Sequence, residues 1–209
     1  MFDLDGTLAD TLHDLTAAGN HMLAAFGREP LPVEDYRQLV GHGAPSLAQQ
    51  ALDLPAGDPR LDAAVTTFRT HLLDNAHVHT RPYAGIPALL DELAARGLRL
   101  AVLSNKPHDA TVDVVRRVFA DWPFVAVRGQ RQGVPLKPDP VAALEIAEQT
   151  GIAPAQWCYV GDSGVDMQTG VNAGMCPVGV SWGFRDEVEL REGGARHLIR
   201  EPAELLELI

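Results

Sequence analysis

From Pro82 to the C-terminus, short apolar runs alternate with helix-length amphipathic segments, and this alternation constrains the fold more than any other feature of the chain. The spacing predicts helices over 86–95, 109–119, 140–150 and 164–173. It predicts strands over 98–103, 124–127, 157–160 and 177–181, and a short closing strand and helix over 197–199 and 203–208. Strands and helices in such turn build a parallel sheet covered on both faces. One further strand is expected at 1–4, unusually short because only Met1 and Phe2 precede Asp3, where strands commonly run about five or six residues. Residues 12–80 obey another pattern. Helical periodicity covers 12–26, 33–40, 44–53 and 60–76, broken by Gly41-His42-Gly43 and by the stretch from Pro55 to Pro59. Nothing there alternates like a strand, so this segment reads as a helical bundle inserted after the first strand.

Charge and composition narrow the function. The formal net charge of −11 and a pI near 5.0 argue against a general nucleic-acid or anionic-membrane surface, which calls for a basic face. A small anion can still be held by a local cluster of donors. Cys158 and Cys176 sit in apolar surroundings without metal-ligand spacing and read as buried thiols of a reducing compartment. With neither a signal peptide nor an apolar run of membrane-spanning length, a cytoplasmic protein is the expectation. Of the 17 basic residues only Lys106 and Lys137 are lysines. In a chain that otherwise uses arginine, each compact ammonium invites a reason.

In open parallel sheets, ligands bind beyond the carboxyl ends of the strands, so the polar residues that end apolar strands are the candidates. The first strand ends in Asp3-Leu4-Asp5, followed by Gly6 and Thr7. The strand over 98–103 ends in Ser104-Asn105-Lys106, and that over 157–160 in Gly161-Asp162-Ser163 with Asp166 one turn on. Lys137 stands between Leu136 and Pro138 just before a helix. Asp3 and Asp5, two apart, would share one side of a strand. Two close carboxylates repel unless a cation lies between them or one is protonated; Mg²⁺ suits all-oxygen donors, and a plain turn or helix cap is the other reading of this pair. Each tip also has a plainer reading: Ser104 and Asn105 as helix caps, Asp162 and Asp166 as charges at a helix N-terminus, Lys137 as a surface residue.

The four signatures DLDGT, LSN, KPDP and GDSGVD, in this order along the full chain, resemble those of the haloacid dehalogenase superfamily of aspartate-nucleophile phosphotransferases. The resemblance implies an α/β fold with a Rossmann-like parallel-sheet core over 1–11 and 81–209 and an α-helical cap over 12–80. It implies Asp3 as the nucleophile that forms an aspartyl phosphate, and Asp5 as the acid that protonates the leaving group and then the base that activates water. It places Mg²⁺ on the Asp3 carboxylate, the Asp5 backbone carbonyl and Asp162, with Asp166 behind them. Ser104, Asn105 and Lys137 would bind the transferring phosphoryl oxygens.

Within the superfamily, Asp5 argues against a haloalkanoic dehalogenase, which needs no leaving-group acid. The absence of lysine from 12–80 argues against a Schiff-base phosphonatase. The segment from Leu39 to Ala44 looks like the cap loop of phosphoglycolate phosphatases, with Gly41 and His42 as candidate substrate contacts. Ala44 stands where the similar loop of β-phosphoglucomutases carries an arginine, which weakens a sugar-phosphate mutase reading. The expectation is a phosphatase for a small phosphorylated metabolite, 2-phosphoglycolate first, acting as a monomer or homodimer. A silent scaffold on the same fold is the rival from another class, and the intact Asp3, Asp5, Lys137 and Asp162 speak against it. The shortness of the first strand leads to the further expectation that apolar residues precede Met1 in the native protein.

Overall fold

A computed structural model describes residues 1–75 and 77–209. In chain order the elements are β1 (Ala9–Asp10), α1 (Leu12–Ala25), α2 (Val33–Leu39), α3 (Ala44–Ala51), α4 (Leu61–Asn75), β2 (Arg81–Pro82), α5 (Ile86–Ala95), β3 (Leu100–Pro107), α6 (His108–Val118), β4 (Phe124–Gln130), α7 (Val141–Thr150), β5 (Cys158–Gly161), α8 (Gly164–Asn172), β6 (Cys176–Val180), α9 (Glu187–Glu192) and β7 (His197–Ile199). Single 3-10 turns cover Pro154–Gln156 and Pro202–Glu207.

β3 pairs with β4 in parallel, and β5, β6 and β7 form a parallel set. Residues 1–3 join the two sets. Phe2 bridges Val102 on one side and Val160 on the other, with Phe2 N–H on the Ala101 carbonyl at 2.8 Å and Asp3 N–H on the Val160 carbonyl at 2.9 Å. The order across the sheet is therefore β4, β3, residues 1–3, β5, β6, β7. The strand expected at 1–4 takes a central position in the sheet, but only as a bridge at Phe2. The chain leaves the sheet at Leu4, whose carbonyl accepts the N–H groups of Thr7, Leu8 and Ala9. Asp3 and Asp5 consequently converge through a tight turn and not through strand alternation.

All eight residues of β3 are buried, as a strand covered on both faces requires. Its alternate residues serve two cores. Leu100 and Val102 join α5 and α6 through Leu89, Leu90, Leu93 and Val114, while Ala101 and Leu103 join α7 through Ala143, Ile146 and Ala147. This strand runs further than the expected 98–103, carrying Ser104, Asn105 and Lys106 within it because β4 continues alongside to Gln130.

The helices of segment 12–80 pack on one another, α4 against both α1 and α3. Entry and exit of this segment are tied by a feature that the sequence pattern did not reveal. β1 and β2 pair antiparallel, Ala9 opposite Pro82 and Asp10 opposite Arg81. The buried Asp14 carboxylate accepts from the Thr80 hydroxyl at 2.7 Å and from the backbone N–H groups of His79 and Thr80. Helix bounds elsewhere agree with expectation within two residues, except that position 76 lies outside the described residues, 203–208 is a 3-10 turn and α9 went unread. The start of α9 carried a legible signal: Asp186 caps the Glu189 N–H at 2.9 Å, and an Asp followed three residues later by Glu is a helix-start pattern.

Candidate active site

Four strand ends and one turn bring the polar residues together over the carboxyl edge of the sheet. Oxygens of Asp3, Asp162 and Asp166 all lie within 4.8 Å of one another, and all three residues are buried. The Leu4–Ala9 turn presses close to them. Gly6 has φ +81°, and a Cβ there would lie 2.3 Å from an Asp162 oxygen, so only glycine combines that backbone with that approach.

Each carboxylate is held differently. Asp3 Oδ1 accepts the Leu4 N–H at 2.7 Å and pairs with Lys137 Nζ at 3.0 Å, which leaves Oδ2 without a partner among the described residues. Asp162 Oδ1 accepts from the Thr7 hydroxyl at 3.1 Å and Oδ2 from the Phe184 N–H at 2.7 Å. Asp166 is saturated: Oδ1 takes Lys137 Nζ at 2.7 Å, and Oδ2 takes the Ser163 hydroxyl at 2.6 Å and the Ser163 N–H at 3.1 Å. Ser163 and Asp166 form a reciprocal capping box at the start of α8, so Asp166 sits at a helix start while also touching Lys137 beside Asp3.

Electrostatics agree with a cation site. Burial, with the charges of Asp166 and Asp5, pushes the Asp3 carboxyl up to about 7 against the opposing pull of Lys137. Burial with the charges of Asp166 and Asp3 pushes Asp162 up to about 8. Carboxylates crowded in this way favour either protons or a hard cation among them. The oxygen-only donors of Asp3 and Asp162 fit such an ion. Burial works against the charge on Lys137, yet Asp166 and Asp3 outweigh it and hold the ammonium well above its usual range.

The remaining sequence candidates divide. Ser104 Oγ accepts the Lys106 N–H at 3.2 Å and keeps its own proton uncommitted. Asn105 is spent on structure: its amide donates to the Gly41 carbonyl at 2.9 Å and the Lys137 carbonyl at 3.1 Å, and its oxygen accepts the Lys137 N–H at 2.9 Å. Its side chain therefore fastens the loop after α2 and the loop before α7 to β3, and has no donor left for a phosphoryl oxygen. A cavity of about 40 Å³ lies over the cluster, lined by Asp3, Asp5, Ser104, Asp162, Gly41 and Gly43 among others. Gly41 thus lines the cavity. His42 is exposed and does not line the cavity, because the loop turns its glycine backbone inward at φ +112° and +85° and leaves the residue between them outside. Lys137 also lies off the cavity wall, behind Asp3.

Two further residues belong to this site. Lys106, which the sequence put at a strand tip without a role, has its Nζ 2.9 Å from Asp5 Oδ1. Arg185, after β6, donates to the carbonyls of Arg37, Gln38 (3.2 Å) and Val40 (2.8 Å) and pairs with Glu189 at 3.2 Å. It thereby clamps the end of α2 and the following loop over the cavity, and nothing in its local sequence announces this.

The comparisons with known proteins agree with this architecture. The family described as haloacid dehalogenase-like hydrolase matches residues 1–180. Phosphoglycolate phosphatase 1 of Pseudomonas aeruginosa is 34% identical over 88% of this chain and 69% of that protein. The N-acetylmuramic acid 6-phosphate phosphatase of the same organism is 31% identical over 100% of this chain and 93% of that protein. A crystal structure from Lactobacillus delbrueckii subsp. bulgaricus, provisionally described as a phosphoglycolate phosphatase, is 30% identical with a TM-score of 0.92, covering 100% of this chain and 96% of that one. With a buried aspartate cluster on a six-position parallel sheet and phosphatases as its named relatives, the chain is an enzyme that belongs to the haloacid dehalogenase-like hydrolase family.

Proposed function

We propose that this enzyme is a magnesium-dependent phosphate-monoester hydrolase that works through an aspartyl phosphate on Asp3, with 2-phosphoglycolate as its substrate. The observation that carries the reading is the buried convergence of Asp3, Asp162 and Asp166 beside Lys137, with one Asp3 oxygen unpartnered on the cavity wall. Mg²⁺ held by the Asp3 and Asp162 carboxylates and the Asp5 backbone carbonyl would neutralise charge where a carboxylate meets an anionic phosphate.

The chain's own groups account for the rest. Asp3 Oδ2 bonds to phosphorus as the ester P–O bond breaks, and Asp5 gives its proton to the departing alkoxide. Asp5 then takes a proton from the water that attacks phosphorus, which releases inorganic phosphate and restores the Asp3 carboxylate. The Ser104 hydroxyl is free to donate to an equatorial phosphoryl oxygen. Lys137 orients Asp3 by holding Oδ1, so that Oδ2 is the oxygen that attacks. In-line positioning and charge neutralisation of this kind are what phosphoryl transfer demands.

The cavity is small, about 40 Å³ where one water needs about 10–15 Å³, which supports a compact substrate over a bulky one. The relative named for N-acetylmuramic acid 6-phosphate aligns over the whole chain and keeps a sugar-acid phosphate as the second reading; such a substrate needs the 41–44 loop displaced. Hydrolysis of p-nitrophenyl phosphate with and without Mg²⁺ tests the reaction class, and activity indifferent to chelation removes it. A panel of phosphorylated metabolites compared by kcat/KM tests the substrate; a flat profile removes phosphoglycolate.

A further inference from the structure

We propose that Lys106 selects the substrate by binding a carboxylate carried one carbon beyond the ester oxygen, an inference that rests on the phosphatase reading above. Its ammonium is buried, with a side chain only 2% exposed, and it lines the cavity together with Asp5, Gly41 and Gly43. An ammonium has three donors. Among the described residues Lys106 Nζ has one partner, Asp5 Oδ1 at 2.9 Å. Lys137 Nζ, by contrast, has Asp166, Asp3 and the Leu103 carbonyl. A buried cation with uncommitted donors facing a cavity is costly unless a ligand completes its shell.

The position of Lys106 fixes which ligand group this is. Asp5 must reach the ester oxygen to protonate it, so the carbon on that oxygen emerges beside Asp5, against Lys106. The transferring phosphoryl group occupies the other side, by Asp3 and Ser104. A group one carbon beyond the ester oxygen therefore meets the free donors of Lys106, and the group that complements a buried ammonium is an anion. Gly43 and Ala44, at the start of α3, lie on the same wall, where the helix N-terminus also favours negative charge. The substrate named for one relative fits this class: phosphoglycolate is a phosphate monoester with its carboxylate one carbon beyond the ester oxygen, whereas N-acetylmuramic acid 6-phosphate carries its carboxylate on a lactyl ether remote from the phosphate.

The test compares 2-phosphoglycolate with 2-hydroxyethyl phosphate, which keeps the ester and the two-carbon chain but replaces the carboxylate by a hydroxymethyl group. Wild-type enzyme is expected to prefer phosphoglycolate by about 10- to 100-fold in kcat/KM, the range for one charge-assisted hydrogen bond. In Lys106→Met that preference should fall below about threefold, chiefly through a raised KM for phosphoglycolate. Whatever Asp5 loses with its partner lowers both substrates alike and cancels in the ratio. Lys106→Arg, which keeps the charge and guards against a folding defect in the methionine variant, should retain a preference for the carboxylated ester. A preference that survives in Lys106→Met, or is lost equally in Lys106→Arg, overturns the role of Lys106 and leaves the phosphatase assignment standing. Wild-type enzyme that hydrolyses both esters equally well overturns the Lys106 inference together with the phosphoglycolate assignment, but not phosphatase activity itself.

Discussion

The back and the front of the site are built on opposite rules. Behind Asp3, every polar group is committed. Lys137 spends its donors on Asp166, Asp3 and the Leu103 carbonyl, Asp166 uses both oxygens, and Asn105 uses its whole amide. In front, Lys106 has one partner, the Ser104 hydroxyl keeps its proton, and the wall opposite is the glycine-flanked loop that Arg185 holds in place. A fully satisfied network rigidifies and fixes geometry, whereas groups with donors to spare are those that answer to a ligand. On the function proposed above, chemistry would sit on strand ends locked by a saturated frame and selection on the face left incomplete.

That division can be broken by mutation, starting with the reacting atom. Asp3→Asn should lower kcat by about 10⁴-fold or more, in line with removal of a nucleophile. Its thermal midpoint should match or exceed the wild type's, since a carboxyl that burial raises to about 7 is exchanged for a neutral amide. Residual turnover within a hundredfold of wild type, in a steady-state assay with p-nitrophenyl phosphate, would remove Asp3 from the role.

Lys137→Met strikes the saturated frame. Leaving Asp3 and Asp166 as unpaired buried charges costs about 3–5 kcal/mol, or a fall in thermal midpoint of roughly 10 °C for a chain of this size. Lys106→Met should lower the midpoint by no more than half as much, because Asp5 faces the cavity and water can reach it. Equal losses in differential scanning calorimetry would erase the distinction between back and front.

Metal binding should sharpen it through pH. Asp3 and Asp162, with folded values of about 7 and 8 against an ordinary value of 3.8, hold protons that a cation must displace. Such raised carboxyls bind more protons folded than unfolded. Without metal, their contribution to stability is therefore present at low pH and fades as pH climbs from about 4 through 8. Affinity for Mg²⁺ runs the other way, rising by about 50-fold from pH 6 to 7, where two protons are displaced, and by about tenfold from pH 7 to 8. Titration calorimetry at several pH values checks this, and a flat affinity contradicts the metal assignment. The smallest effect is expected at the clamp. Arg185→Ala frees three loop carbonyls and should raise KM by roughly tenfold with kcat changed less than about threefold; equal losses in both would place Arg185 in the chemistry instead.

Much of this was legible in the chain. The alternation of apolar runs after Pro82 located the strands and helices of the sheet, because a strand covered on both faces has little freedom in what it carries. The strand tips yielded Asp3, Asp162, Asp166 and Lys137, because polar residues that end buried strands have few other reasons to be there. What escaped depended on distant partners. Asn105 reads as a ligand in sequence and serves as a clamp in space, since its amide meets the Gly41 carbonyl 64 residues away. His42 stands in a promising loop and points its residue outward from it. Arg185 matters only because α2 ends against it.

The sequence by itself determined that polar residues would gather along one edge of a parallel sheet, which follows from local pattern, while the resemblance of its motifs to the haloacid dehalogenase superfamily implied which of those side chains would serve phosphoryl chemistry. Only the tertiary structure decided which of those side chains are used up holding the frame and which keep a hydrogen-bond donor for a ligand. That choice depends on how many partners each buried group meets across the fold, and two lysines that look alike in the chain differ there by two hydrogen bonds.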